Sequence, residues 1–430
     1  MRPAVTWSIV LYSVVCFAFP LVAQRDDRRE PPTHASLDIP VKGYGLSIGN
    51  SVGVNGLRIN FRDDDLRWVN GVNLTLWKAR ENDDALINGL AVGIVGPQAG
   101  TINGLAVGLG TEIARSMNGI SVGLLASVAI GSFNGVAVGG LATVSEGDIN
   151  GLGVGGLATV TQGNLAGLGV GGLASVTSGS MMGLQVSGLA AVTNGPVSGI
   201  NVGGLATVTE GNVAGIDIGG LGSVVNGHMS GVSVGGLATI VSGRAEGILV
   251  GGLATVINGG STGLTIGGLA NVQNGPVTGL QVGGLATVGG GDVSGITVGG
   301  LAAVASGNLS GLTVGGLAAV SGESIEGLTL SVGAVQSRYY IKGFTVGGYK
   351  VEADELEGLI VAAIRTRAYY SMTGVSIAGY NHIHGEQRGL AIGLYNRAEE
   401  LHGVQIGVLN YAGNNEGIWR WMPIVNAHFD

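Results

Sequence analysis

The sequence predicts an all-β protein, a parallel β-solenoid of about sixteen-residue, glycine-rich coils with divergent capping coils at both ends. Three observations predict it. Glycines recur at intervals of sixteen, without a break, from Gly119 to Gly343. The fourth residue of these units is almost always β-branched, as at Val138, Val154, Val170, Val186, Val202 and Ile218, which suits a pleated surface and not a helix. Glycine supplies 84 of the 430 residues, and several fixed glycines per unit, each costing about 1 kcal/mol against alanine, exclude a helical repeat. There is no G-X-Y period for collagen, and a mean hydropathy of +0.44 is too apolar for a disordered linker.

The elements follow in chain order. Residues 1–23 read as a signal peptide, with Arg2 before the apolar run "WSIVLYSVVCFAFPLVA" and the polar "QRDDRREPP" after it. The single cysteine, Cys16, leaves with that segment, so neither disulfides nor thiol chemistry is expected. Residues 24–42 read as a linker or mature N-terminal tail. Residues 43–118 are divergent N-terminal coils, where the register glycines Gly56, Gly71, Gly89 and Gly104 are irregularly spaced and Trp68 and Trp77 appear. Residues 119–349 are the regular repeats, and 350–430 are divergent C-terminal coils and a cap.

The regular unit is G-φ-x-φ-G-G-L-A-[TS]-V-x-x-G-x-φ-x. It predicts two short strands, as at 168–170 and 157–160, with a bend at Gly-Gly and another at turns such as "VTNGPVSG". One unit cannot bury its apolar residues alone, whereas stacked units about 4.8 Å apart place like on like. Leu152, Leu168 and Leu184 then form a ladder, and Thr143, Thr159, Ser175 and Thr207 form a hydroxyl ladder. The β-branched fourth position is expected to face the core and the variable third position to face out. The leucine at position 7 (Leu141, Leu157, Leu173) breaks this parity. Either the Gly-Gly bend turns it inward, which is the preferred reading, or it makes an exposed stripe that invites a partner or a second solenoid.

Beyond residue 340 the unit becomes "GLAIGLYNRAEELHGVQIGVLNYAGNN", followed by "RWMPIVNAHF". This resembles the bacterial surface repeat-containing protein family built on G-[LV]-x-[IL]-G-[LV]-x-N units with a short "MP-φ-x-N" tail. The match is closest over 340–430, the Gly-φ-x-φ-Gly core reaches back to about residue 45, and the middle departs by writing G-G-L-A-T-V. The resemblance implies a cell-surface or outer-membrane location; it implies no reaction and no ligand.

Little in the chain carries chemistry. His382 and His384 in "NHIHG" share a strand face and are weak metal candidates, since a site wants three or four ligands. "DDD" at 63–65 and "NDD" at 82–84 match no calcium loop and read as solvated turns. The Gly-Gly pairs are not phosphate loops, because no helix and no Lys-Ser/Thr follow. No catalytic constellation and no cofactor site is assigned. Removal of 1–23 leaves 28 acidic and 19 basic residues, which disfavours nucleic acid and anionic membrane as partners. The expectation is an exported, non-enzymatic structural or adhesive rod with an unknown surface ligand or cell-envelope partner and no small-molecule substrate. The alternatives are an outer-membrane β-barrel and, third, an ice-binding solenoid carrying an outer hydroxyl ladder. Aromatic anchors for a partner, if one binds, are Trp68, Trp77, Tyr369, Tyr370, Trp419 and Trp421 at the two ends.

Overall fold

The computed structural model describes residues 34–41 and 44–429, and the segment read as a signal peptide lies outside them. The fold is the expected parallel β-solenoid. Each regular coil contributes a seven-residue strand and a four-residue strand, for example Val197–Gly203 and Ala206–Thr209. Both pair in parallel with their counterparts sixteen residues on: Asn201 lies beside Asp217, Val202 beside Ile218 and Thr207 beside Ser223. The strands are the two that the repeat predicts, the first extended backward through the register glycine.

That glycine makes a corner inside the longer strand. From Gly56 to Gly403 the coils open on a glycine with φ between +104° and +151°, a region closed to most L-residues. At Gly199 a Cβ would also lie 2.0 Å from the Gly183 carbonyl oxygen of the coil below. The second corner is Gly-Gly-Leu, and the third is the polar turn at positions 12–14.

The assignment of faces made from the sequence is reversed. Asn201, Asp217, Gln185 and Thr265, all at position 3, are fully or almost fully buried. Their β-branched neighbours at position 4 point outward and are partly exposed. Positions 3, 5, 9, 11 and 15 fill the lumen; positions 2, 4, 8 and 10 form the outer walls. The leucines at position 7 also face out, Leu141, Leu157 and Leu173 being 47–49% exposed, so the Gly-Gly bend does not turn them inward. The cause is the size of the coil. Sixteen residues folded into three sides enclose a thin lumen that takes one row of large apolar groups at position 15 (Ile149, Leu165, Met181, Val197). Most of the remaining inward positions are small or reach a hydrogen-bond partner; Leu249 and Ile257 are large and buried where position 15 shrinks to Ala245 and Ser261.

The partners lie in neighbouring strands and coils. Buried Thr143, Thr159 and Thr255 donate their hydroxyls to the carbonyls of Val154, Val170 and Ile266 at 2.6 Å. The hydroxyl ladder therefore lies inside, and the ice-binding alternative loses the outer face on which it rested. In the C-terminal coils asparagine takes this role. Asn381 donates to Asn396 and Asn396 to Asn410, each at 2.7 Å, and Asn381 and Asn396 also reach the carbonyls of Ile392 and Ile406 at 3.0 Å. On the outer edge of the N-terminal coils a second asparagine ladder runs from Asn55 through Asn70, Asn88, Asn103, Asn118 and Asn134 to Asn150, with links of 2.7–2.9 Å.

Among the described strands, antiparallel pairing is confined to the two ends, so the coils do not form the up-and-down sheet of a membrane barrel. At the first end β1 (Ser36–Val41) lies antiparallel on β2 (Tyr44–Gly49) and carries Pro40 on the open edge. At the other, Trp421–His428 folds back on the last coil. Both ends cover an open edge, as a solenoid needs.

Candidate functional site

The wall built from positions 8 and 10 is Ala–Val through the regular coils and changes character beyond residue 350. There the outward residues become Lys350 and Glu352, then Arg365, Arg367 and Tyr369, then Tyr380, His382 and His384, then Tyr395, Arg397 and Glu399. Because inward and outward residues alternate along each strand, the inward partners of this set are small or apolar (Thr366, Ala368, Ile383, Ala398) or belong to the buried asparagine ladder (Asn381, Asn396), and the charged and aromatic groups between them point outward.

The aromatic rings stack from coil to coil. Tyr369 stacks on His384 at 5.6 Å between centroids, and Tyr380 on Tyr395 at 5.0 Å. Trp421 of the terminal strand closes the column, 6.3 Å from Tyr395 and 4.7 Å from Tyr411. Arg367 lies over Tyr369 and Arg397 over Tyr411 at 5.8 and 5.3 Å. Glu352 is the acidic hub, with Lys350 at 2.8 Å, Tyr369 at 2.7 Å, Arg365 at 3.5 Å and Arg367 at 3.6 Å. Burial opposes its ionisation, but hydrogen bonds from Lys350 and Tyr369 and the charges of Lys350 and Arg365 outweigh burial and hold the carboxyl below the usual range.

The two histidines lie with ring centroids 4.0 Å apart. Burial, then the neighbouring His384, Arg397 and Arg367, push His382 down to about 4, so at neutral pH it is an uncharged imidazole. Among the described residues no group of three or more His, Cys, Asp or Glu side chains gathers to hold a metal. His382 and His384 sit in an aromatic and arginine-rich patch, with no carboxylate completing a ligand set.

Of the aromatic anchors named from the sequence, Tyr369 and Trp421 belong to this patch. Tyr370 projects from the adjoining corner and is 66% exposed. Trp419 lies in the short 3-10 turn Gly417–Arg420, where its carbonyl receives Asn426 at 3.2 Å. At the opposite end Trp77 stacks on Phe61 at 6.4 Å, and Trp68 fills the space beside Gly53. Sequence reasoning missed Arg365, Arg367, Tyr380, Tyr395, Arg397 and Tyr411, whose signal was the loss of Ala–Val from one wall.

The acidic turns also differ from expectation. Asp63 is buried, paired with the buried Arg58 and receiving Asn73 at 2.9 Å and Thr75 at 2.8 Å. Arg58 further donates to Asn50 and Asn73 at 2.9 Å. Asn82 is buried as well and accepts the Leu66 amide at 3.0 Å. These residues plug the lumen of the first coils, whereas Asp83 and Asp84 stay in water.

Fold and patch together define a β-solenoid repeat protein with a lumen of mixed apolar and hydrogen-bonding rows, largely aliphatic walls and an aromatic–basic patch near its C-terminal end. Comparison with family models, with curated proteins and with solved structures gave no match.

Proposed function

We propose that this is an exported, non-enzymatic surface repeat protein that acts as a structural or adhesive rod at the bacterial cell surface or in the outer membrane and periplasm. The observation that carries this reading is where the side chains go. The lumen is filled by the chain's own residues, so contacts with other molecules fall to the outer walls, where the C-terminal patch around Tyr380, Tyr395 and Arg397 gathers charge and aromatic rings. The signal-like residues 1–23 and the resemblance of residues 340–430 to surface repeat proteins support export. Protease shaving of intact cells is the test. The rod reading expects release of peptides from residues 44–429 and a mature N-terminus near residue 24. Recovery of the whole chain from the cytosol with residues 1–23 attached contradicts it.

A further inference from the structure

The wall built from positions 2 and 4 has a property that no other outward surface of the rod shares. From Leu57 and Ile59 at one end, through Val232 and Val234, to Val404 and Ile406 at the other, both rows consist only of Leu, Ile, Val and one Phe. The leucine corner ends at Leu317, and the Ala–Val wall gives way to charge at Lys350. Where coil length, turns and lumen residues all diverge, these two rows do not. They are not the core: Ile120, Ile248 and Ile406 are 45%, 43% and 41% exposed. Folding of the single chain gives no reason to exclude every polar residue from a solvent-facing wall, because the lumen is filled from the other side of the strand.

We propose that this wall is an interface, covered by the same wall of a second copy of the chain. The length and pitch favour that occupant. At about 4.8 Å per coil the wall is about 105 Å long, and three residues across make it about 10 Å wide, or about 1,000 Å² per copy. A stable interface needs about 800 Å² per partner. A second copy has the same coil pitch, so ridges of one wall fit between ridges of the other along the whole rod, as two sheets pack face to face. Charge disfavours a lipid surface: the chain has 20 basic against 28 acidic residues, whereas membrane-surface elements place Lys and Arg beside their apolar face.

The inference rests on the fold and not on export, so its test is separate from the shaving experiment. The full chain, purified without detergent, is sized by sedimentation equilibrium beside two triple variants. Val202→Asp, Val234→Asp and Ile266→Asp charge the wall; Leu205→Asp, Leu237→Asp and Leu269→Asp put the same charges on the leucine corner of the same coils. The expected result is a dimer for the parent and the corner variant, and association weakened about 100-fold or more for the wall variant. A monomeric parent overturns the proposal, as does a wall variant that folds and still dimerises. Where circular dichroism finds the wall variant unfolded, cross-linking decides. Val234→Cys in a Cys16→Ser background lies in the central coil, where a two-fold axis of either direction brings two copies together. It should form a disulfide-linked dimer on oxidation, with Leu237→Cys, outside the interface, remaining free of the cross-link. Failure of Val234→Cys to cross-link overturns the proposal, and so does flotation of the parent as a monomer on phosphatidylcholine vesicles.

Discussion

Replacing Asn201 by Asp exchanges one heavy atom inside the lumen, and the structure makes it one of the most damaging substitutions in the regular coils. Asn201 is fully buried and donates to the Asp217 carboxylate at 2.9 Å. Burial already pushes Asp217 up, and hydrogen bonds from Ser223, Thr207 and Asn201 pull only partly in the other direction. In Asn201→Asp the donor becomes a second acceptor with a like charge. Two unit charges about 4 Å apart repel by about 4 kcal/mol at an effective dielectric constant of 20, so at pH 7 the pair must hold a proton between them. The expected loss is about 3–5 kcal/mol at pH 7. The folded pair binds a proton that the unfolded chain has released above the ordinary carboxylate range, so stability returns as pH falls toward 4. The neighbouring Val202→Asp, on the outer wall, should cost less than about 1 kcal/mol in the monomer at both pH values. Thermal melts at pH 7 and pH 4, at a dilution where self-association does not contribute, make the comparison. A larger loss for Val202→Asp than for Asn201→Asp, or a loss for Asn201→Asp that does not shrink with acid, refutes this placement of the faces.

Three other outcomes follow from the same geometry. Removing the whole coil 199–214 should leave a cooperatively folding rod one coil shorter, whereas removing eight residues sets turn over strand and should abolish the cooperative melt. Gly199→Ala, at φ +134° and with its Cβ 2.0 Å from the Gly183 carbonyl oxygen, should lower stability by more than about 2 kcal/mol; Gly222→Ala, whose Cβ meets only the Ala238 oxygen at 3.8 Å, should be neutral or stabilising by up to about 1 kcal/mol by chemical denaturation. His382 is held down to about 4, so the unfolded chain takes up its proton first and stability falls from the ordinary histidine range near 6.5 toward pH 4; His382→Asn should flatten that part of the stability-against-pH curve, and an unchanged slope would contradict the half-buried neutral imidazole.

The coil, its period, its two strands and its capped ends were legible in the sequence because a stacked fold repeats its constraints. Gly119 to Gly343 recur at one spacing since each must take positive φ over the glycine below. The faces were misread for a physical reason. Val202 and its equivalents have the composition of a core, and alternation alone does not say which side of a strand is inside. What decides is volume. The lumen of a sixteen-residue coil admits Asn201, Thr207 and Val197 together, and a second large aliphatic row has no room there. Position 3 looked variable and hence exposed, yet its variety of Gln, Asn, Asp and Ser is that of a buried hydrogen-bonding row whose partners come from neighbouring strands and coils. The C-terminal patch was half legible: Tyr369, His382, His384 and Trp421 were singled out one by one. Their common wall emerges only once residues fifteen apart are known to stack.

The central claim, a straight stack of parallel coils with no closure into a barrel, is tested most directly by spin-label distances along one edge. Glu146, Glu210, Ser242, Asn274 and Ser306 all occupy the exposed position 12. Labelled in pairs with position 146 and diluted with unlabelled chain, they should give distances that rise in proportion to sequence separation, about 19, 29, 38 and 48 Å at about 4.8 Å per coil. Distances that level off or shorten between positions 242 and 306, as around a closed barrel, would contradict the account.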